Sequence, residues 1–232
     1  MWKDELCKLN GELPQGERLS RSFFTRDGLT VAKELLGKVL VHETPIGTVR
    51  GIITEVESYM GVEDKGSHTY GGRRTERSEP MFHIGGTSYV YFTYGMYHCM
   101  NIATDVEDNP QAVLIRSVVP ADKESEERML DLRLEASLAS IRKRKEAKDE
   151  EVTPSEVERK KKSLLKHLAD GPGKLCIAMG VNKQQNDVDM VKSKTFYVTE
   201  GVEVLPAEIQ AGKRIGIDYA EEAADYLWRF FM

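Results

Sequence analysis

The sequence predicts a mixed α+β fold: a single compact domain on an antiparallel or mixed sheet. Three observations predict it. Strand-like runs crowd residues 21 to 120, a charged helix-forming stretch occupies 121 to 168, and mixed globular composition returns from Asp170 onward. Strands followed by helices, without regular alternation, argue against a doubly wound parallel sheet. The 232 residues suit one domain with a core large enough to fold without disulfides. No repeat recurs at solenoid spacing.

The first clear element is a helix over residues 27 to 37. Asp27 is placed to cap it, Leu29, Ala32 and Leu36 share a face, and Gly37 can end it. KVLVHET then reads as a strand, TPIGT as a turn and VRGIITEVESY as a second strand. SYVYFTYGMYHCMNIAT is a third β-prone run interrupted by Gly95, and AVLIRSVVP is a fourth, closed by Pro120. Residues 121 to 168 read as a charged insert, either a solvated helical excursion or a partly disordered segment, because charge runs usually mark wet faces. Tracking of DNA by Arg142, Lys143, Arg144, Lys160, Lys161 and Lys162 is weakened by the acids beside them.

Composition narrows the partners. A 40% hydrophobic, 31% charged chain is not disordered throughout. No apolar run reaches the ~18 residues of a membrane span, so no membrane partner is expected. MWKDELCKLNGEL carries no signal-peptide core, and the three cysteines (Cys7, Cys99, Cys176) form an odd, sparse set. Both points predict reduced thiols and an intracellular protein, in the cytoplasm or at the nucleoid, or nuclear if eukaryotic. The net charge of −5 advertises no polyanion, so a nucleic-acid partner requires a local basic surface.

The candidate chemistry begins on the second strand. A period of two puts Ile53, Glu55, Glu57 and Tyr59 on one face. This is either the acidic face of an edge strand or a carboxylate in a cleft mouth, where partial burial raises its proton affinity for general-base work. Spacing leaves both open. Arg116 lies in the apolar run AVLIRSVV and should face an acid, as a structural salt bridge or as a Glu57–Arg116 pair gripping a shared water. Tyr89, Tyr91, Tyr94 and Tyr97 fall within nine residues. Tyr89 and Tyr97 read as core packing, whereas Tyr94, before Gly95, belongs near a loop tip where it can stack on bases or wedge between base pairs. Arg73, Arg74 and Arg77 in a glycine-led loop are candidates for phosphate contacts.

Other motifs fail. GPGK (171–174) lacks the frame of a phosphate-cradling loop and reads as a turn before an apolar helix. His68, His83 and His98, even with Cys99, match no zinc spacing, and no Gly-x-Ser-x-Gly elbow is present. No metal or cofactor is therefore expected.

Four ordered segments, ITEVESYMGVEDKGSHTYGGRRT, MFHIGGTSYVYFTYGMYHCMNI, AVLIRSVVP and GPGKLCIAMGVNK, closely resemble the alkyladenine (3-methyladenine) DNA glycosylase family. The likeness runs from about Leu19 to Phe231, interrupted by the charged segment, which is longer than the linking region of that family. The resemblance implies a curved antiparallel sheet flanked by helices, minor-groove binding to double-stranded DNA as a monomer, and hydrolysis of the N-glycosidic bond of damaged purines. It further implies that Glu57 activates water, that Arg116 and the main chain at Ile215 hold it, and that Tyr59, His68 and Tyr91 wall the flipped base. Asn101 and Leu114 restrict which purines enter, the His68 amide reads the base edge, and Tyr94 intercalates. Flipping costs a few kcal/mol and leaves a vacated stack to be filled, and an aromatic wall favours a cationic methylated base by about 1 kcal/mol. Lys65, in a polar loop, lacks the desolvation a Schiff-base nucleophile needs, so strand nicking is not expected. The competing readings are a lesion binder that lost turnover and a metal-dependent hydrolase using His68, His83 and Cys99.

Overall fold

Antiparallel pairing organises the chain in the computed structural model, which describes residues 13–146 and 150–232. Cys7 and the first residues of the N-terminal segment lie outside the described residues. Among the described residues five α-helices, α1 (Arg21–Phe24), α2 (Gly28–Leu35), α3 (Lys123–Glu146), α4 (Pro154–Leu165) and α5 (Pro172–Ala178), flank eight strands. The strands are β1 (Val39–Thr44), β2 (Gly47–Tyr59), β3 (Ser88–Thr93), β4 (Tyr97–Thr104), β5 (Gln111–Pro120), β6 (Phe196–Thr199), β7 (Gln210–Gly212) and β8 (Arg229–Phe231). They form one curled sheet in the order β3-β4-β5-β2-β1-β6, with β8 joining β2 and β7. The expected α+β class and curved antiparallel sheet are what the chain adopts.

Helix α2 starts where the capping residue predicts. The Asp27 carboxylate accepts from the Leu29 and Thr30 amides, and Gly37, at φ 83°, turns the chain into β1. Its face carrying Val31, Ala32 and Leu35 enters the main core with Phe24, Val56, Ile102 and Ile115.

Strand β2 is the spine. Its first half pairs with β1, residues Glu55 to Glu57 pair with β8, and β5 follows its other edge from Gly51 to Tyr59. It is an interior strand, not an edge. Alternation breaks between Ile53 and Val56, where the register with β5 is irregular. Ile53 and Val56, three apart, both enter the main core, as do Ile115 and Val118 opposite them. Ile53 therefore does not share a face with Glu55, Glu57 and Tyr59, as strict alternation predicts; the irregularity reverses the phase of both strands at once.

The charged segment is helical but less detached than a solvated excursion. The first half of α3 packs on α5 and the sheet: Met129 is fully buried in the main core, and the Ser125 hydroxyl accepts the Arg50 amide. Further along, Leu134 and Leu138 meet Leu164 of α4, closing a helical hairpin with its own small core. A capping box at Thr153 and Glu156 starts α4. The GPGK segment is not only a turn, since Pro172 to Lys174 already form the first turn of α5.

The split between anchored root and wet tip is testable. Met129→Ala is expected to destabilise the protein by about 2–5 kcal/mol in denaturant unfolding, while Arg142→Ala, an exposed position, stays within about 0.5 kcal/mol of the native chain.

Candidate active site

One row of cross-strand partners assembles the site. Tyr89 on β3 pairs with Asn101 on β4, Asn101 with Leu114 on β5, Leu114 with Glu57 on β2, and Glu57 with Arg229 on β8. Partners in an antiparallel pair point to the same face, so five strands deliver these side chains side by side. Two residues along the strands, Tyr91, Cys99, Arg116 and Tyr59 join the same face. This face, covered by the loops after β2 and β7, encloses a cavity of about 370 Å³, in the range of small-ligand sites. Its wall includes Tyr59, His68, Tyr91, Asn101, Leu114 and Ile215, the predicted base-pocket residues.

Glu57 lies immediately behind the wall made by Tyr59, Arg116 and Ile215 and has no solvent exposure. Its Oε1 accepts the Ile215 amide at 2.8 Å and stands 3.2 Å from Arg116 Nη1; its Oε2 accepts the Tyr59 hydroxyl at 2.9 Å. Burial pushes the Glu57 carboxyl above the ordinary carboxylate value, against the opposing pull of Arg116, the Ile215 amide and Tyr59. Arg116 thus faces acids, as its apolar setting requires, and it faces two. Its Nε donates to Glu55 Oε1 at 2.9 Å.

A second arginine ties these donors together. Arg229 Nη1 donates to the same Glu55 oxygen at 3.0 Å, and its Nε donates to the Lys213 carbonyl at 2.8 Å. One arm of this ring orients Arg116; the other fixes the loop that presents the Ile215 amide. Behind the loop, the fully buried Arg214–Asp64 pair, with Arg214 also donating to the Ser58 and Ala223 carbonyls, anchors it to the end of β2. The sequence reading missed Glu55 as a partner of Arg116, and it missed Arg214 and Arg229. Period two did place Glu55 beside Glu57, but nothing local links residues 214 and 229 to residue 57.

The aromatic wall is locked edge to face. His68 meets the Tyr91 ring at 4.8 Å, and its Nδ1 lies 2.8 Å from the Tyr89 hydroxyl. Burial, with Arg77 and Arg73 nearby, lowers the His68 imidazole to about 4, so it is neutral at physiological pH. Asn101 is buried and donates to the Tyr89 carbonyl at 3.0 Å. Tyr89 is core, as expected, but Tyr97 is not: it is well exposed and rests on α5, where a Cβ on Gly173 would approach its ring to 2.9 Å.

Tyr94 is 82% exposed at the tip between β3 and β4. It and Gly95 both take left-handed backbone, φ 50° and 68°, a conformation unfavourable for tyrosine and tolerated at functional turns. The ring borders the mouth of the cavity.

The three loop arginines differ. Arg74 is held by Glu79 and Asp108 and lies over the Phe82 ring. Arg77 lies over Tyr91 and lines the cavity, and Arg73 borders a basin beside it that Arg77 also lines. A roomier groove of about 860 Å³ lies between α3 and α4, but its wall is solvated charge without an aromatic face. His83 pairs with Asp187, and no cluster of metal-binding side chains occurs among the described residues.

The site is thus an aromatic chamber backed by a buried carboxylate and fronted by a protruding tyrosine. The chain belongs to the methylpurine-DNA glycosylase family, whose model matches residues 22–232. It is 44% identical over 216 residues to a protein of Desulfitobacterium hafniense, covering 93% of this chain and 95% of that one. It is 44% identical over 215 residues to a protein of Clostridium acetobutylicum, covering 93% and 94%, and 42% identical over 215 residues to one of Clostridium tetani, covering 93% and 95%. All three carry the name "Putative 3-methyladenine DNA glycosylase".

The buried carboxylate has a thermodynamic signature. With its folded proton affinity raised, Glu57 contributes fully to stability below its unfolded value of about 4.3, and that contribution is lost as pH rises through the folded value. Glu57→Gln is therefore expected to melt at or above the native temperature at neutral pH. The advantage should shrink in melting curves taken toward about pH 4.

Proposed function

We propose that this protein is a monofunctional glycosylase of base excision repair acting on alkylated or deaminated purines in double-stranded DNA: 3-methyladenine, 7-methylguanine, hypoxanthine and ethenoadenine. A damaged nucleotide swings out of the duplex into the cavity between Tyr59, His68 and Tyr91, and Tyr94 fills the vacated stack. Asn101 and Leu114 set which purines enter, and the His68 amide reads the base edge. Glu57 draws a proton from a water held with Arg116 and the main chain at Ile215, and the water attacks C1′ of the sugar. Every group named lies in one chain, so the proposed chemistry requires no second copy and is compatible with a monomer.

The observation that carries this reading is Glu57: wholly buried, proton affinity raised, hydrogen-bonded to the Ile215 amide and Tyr59 and ion-paired with Arg116, all three of which line the aromatic cavity. A poised carboxylate suits water attack. The chemistry needs no covalent residue, and the nearby lysine is unsuited to supply one. Lys65 is held protonated by Glu221 and Glu222, so it is a poor Schiff-base former and strand nicking is absent. Contact with DNA phosphates falls to the arginine-bearing loop, Arg73 foremost, because Arg74 must first leave two carboxylates.

Glu57→Gln is expected to slow release of hypoxanthine or 3-methyladenine from single-lesion duplexes by at least about 10²-fold, with binding to the damaged duplex intact; release at the native rate removes Glu57 from the mechanism. Tight binding by the native protein without product favours a lesion binder instead. In the native enzyme, activity should fall on the acid side with a midpoint above the ordinary carboxylate value of about 4.3, because the base must be ionised and burial raises its affinity for the proton.

Tyr94→Ala is expected to reduce the preference for lesion over intact duplex in a gel-shift titration, and an unchanged preference places the wedge elsewhere. Affinity should fall steeply with added salt, and Arg73→Ala should flatten that slope by about one phosphate contact.

A further inference from the structure

The cavity wall holds two charged side chains, and they are not equivalent. Arg116 is balanced by Glu55 and Glu57. Arg77 makes no ion pair among the described residues; its guanidinium stands 4.7 Å from the centre of the Tyr91 ring, at the junction of the base cavity and the adjoining basin of about 380 Å³. Its loop neighbour Arg74, by contrast, is spent on two carboxylates. An unbalanced positive charge therefore sits against an aromatic ring that the flipped base would touch.

That placement bears on the charge of the substrate. In the cleavage step proposed above, the water oxygen bonds to C1′ as the C1′–N bond breaks. One water proton goes to Glu57, and the bonding electron pair leaves with the base. An uncharged lesion departs as an anion and takes up a proton afterwards, whereas a base already methylated to a cation departs neutral. A fixed cation at the wall stabilises the first departure and has no anion to stabilise in the second. It also repels a cationic base on entry, and it already engages the Tyr91 ring that would otherwise attract one.

We propose that Arg77 is a specificity residue that biases this site toward neutral purine lesions such as hypoxanthine over cationic ones such as 7-methylguanine. The proposal rests on the glycosylase reading above. It reverses the preference that the aromatic wall alone would give. The neutral His68 adds no second charge. Attraction between a unit charge and an anion roughly 6 Å away, at an intermediate dielectric, corresponds to one to two powers of ten in rate; Arg77 is at the solvent-facing rim, so about ten-fold is expected.

The test is single-turnover base release from duplexes carrying one hypoxanthine or one 7-methylguanine, using the native protein, Arg77→Gln and Arg77→Lys. The ratio of the two rates within each protein is independent of how much of it is folded. Arg77→Gln should lose about ten-fold more hypoxanthine release than 7-methylguanine release, and Arg77→Lys should restore most of the native ratio. An unchanged ratio with a shallower salt dependence makes Arg77 a phosphate contact and overturns the proposal; an unchanged ratio with unchanged salt dependence overturns it as well. A native protein that releases neither base removes the glycosylase reading and this inference with it. Release of both by the native protein, with no ratio change in the variants, removes only this one.

Discussion

A single break in the alternation of β2 decides which way its carboxylates point. Were the strand regular from Ile53 to Tyr59, either Ile53 would leave the core or Glu57 would enter it. Because β2 and β5 break phase together, Ile53, Val56, Ile115 and Val118 all reach the apolar side, while Glu55, Glu57, Tyr59, Leu114 and Arg116 all turn to the opposite side, where Tyr59, Leu114 and Arg116 line the cavity. An extra residue in one strand alone would shift the register of every later pair by one; here both strands break phase and the register returns within three residues. The cost is local, and the result is a charged face in the middle of an otherwise apolar sheet.

That charged face is kept from being a defect by a closed ring of partners. Burying a carboxylate without compensation costs several kcal/mol, and Glu57 receives three donors from three different parts of the chain. Two of them converge on Arg229, which grips both Glu55 and the Lys213 carbonyl. The last described strand thus stitches the C-terminal segment to the buried carboxylates. Even so, the compensation is incomplete, because the carboxyl still prefers its proton more than an exposed one does. Residual cost in the folded state is what makes the group a stronger base than its exposed neighbours, so the property that the proposed chemistry uses works against stability at this residue.

The acidic balance of the chain sits less awkwardly with a DNA substrate once its charges are located. Many acids are paired within the fold: Glu55 and Glu57 with arginines of the sheet, Glu79 and Asp108 with Arg74, Glu221 and Glu222 with Lys65. Near the cavity mouth Arg73 and Arg77 make no ion pair among the described residues and stand beside a protruding tyrosine. Net charge is a global sum, whereas recognition responds to the field within about a Debye length, roughly 10 Å.

The sequence by itself determined the class of fold, the helix at Asp27, the four main strands, the turn that exposes Tyr94, and the need for Arg116 to meet an acid. Each rests on short-range chemistry: a cap, a period of two, a glycine after an aromatic, a charge in an apolar run. Its likeness to a known family then pointed to the pocket residues, which the row from Tyr89 through Asn101 and Leu114 to Glu57 brings together. Only the tertiary structure decided that Ile53 turns away from Glu55, that Tyr97 lies outside the core, and that α3 is rooted in the core at Met129. Only it separated Arg73, Arg74 and Arg77 and joined residues 214 and 229 to residue 57. These depend on register, sheet curl and which loops close over a face, and such long-range matters leave no trace in the spacing of neighbours along the chain.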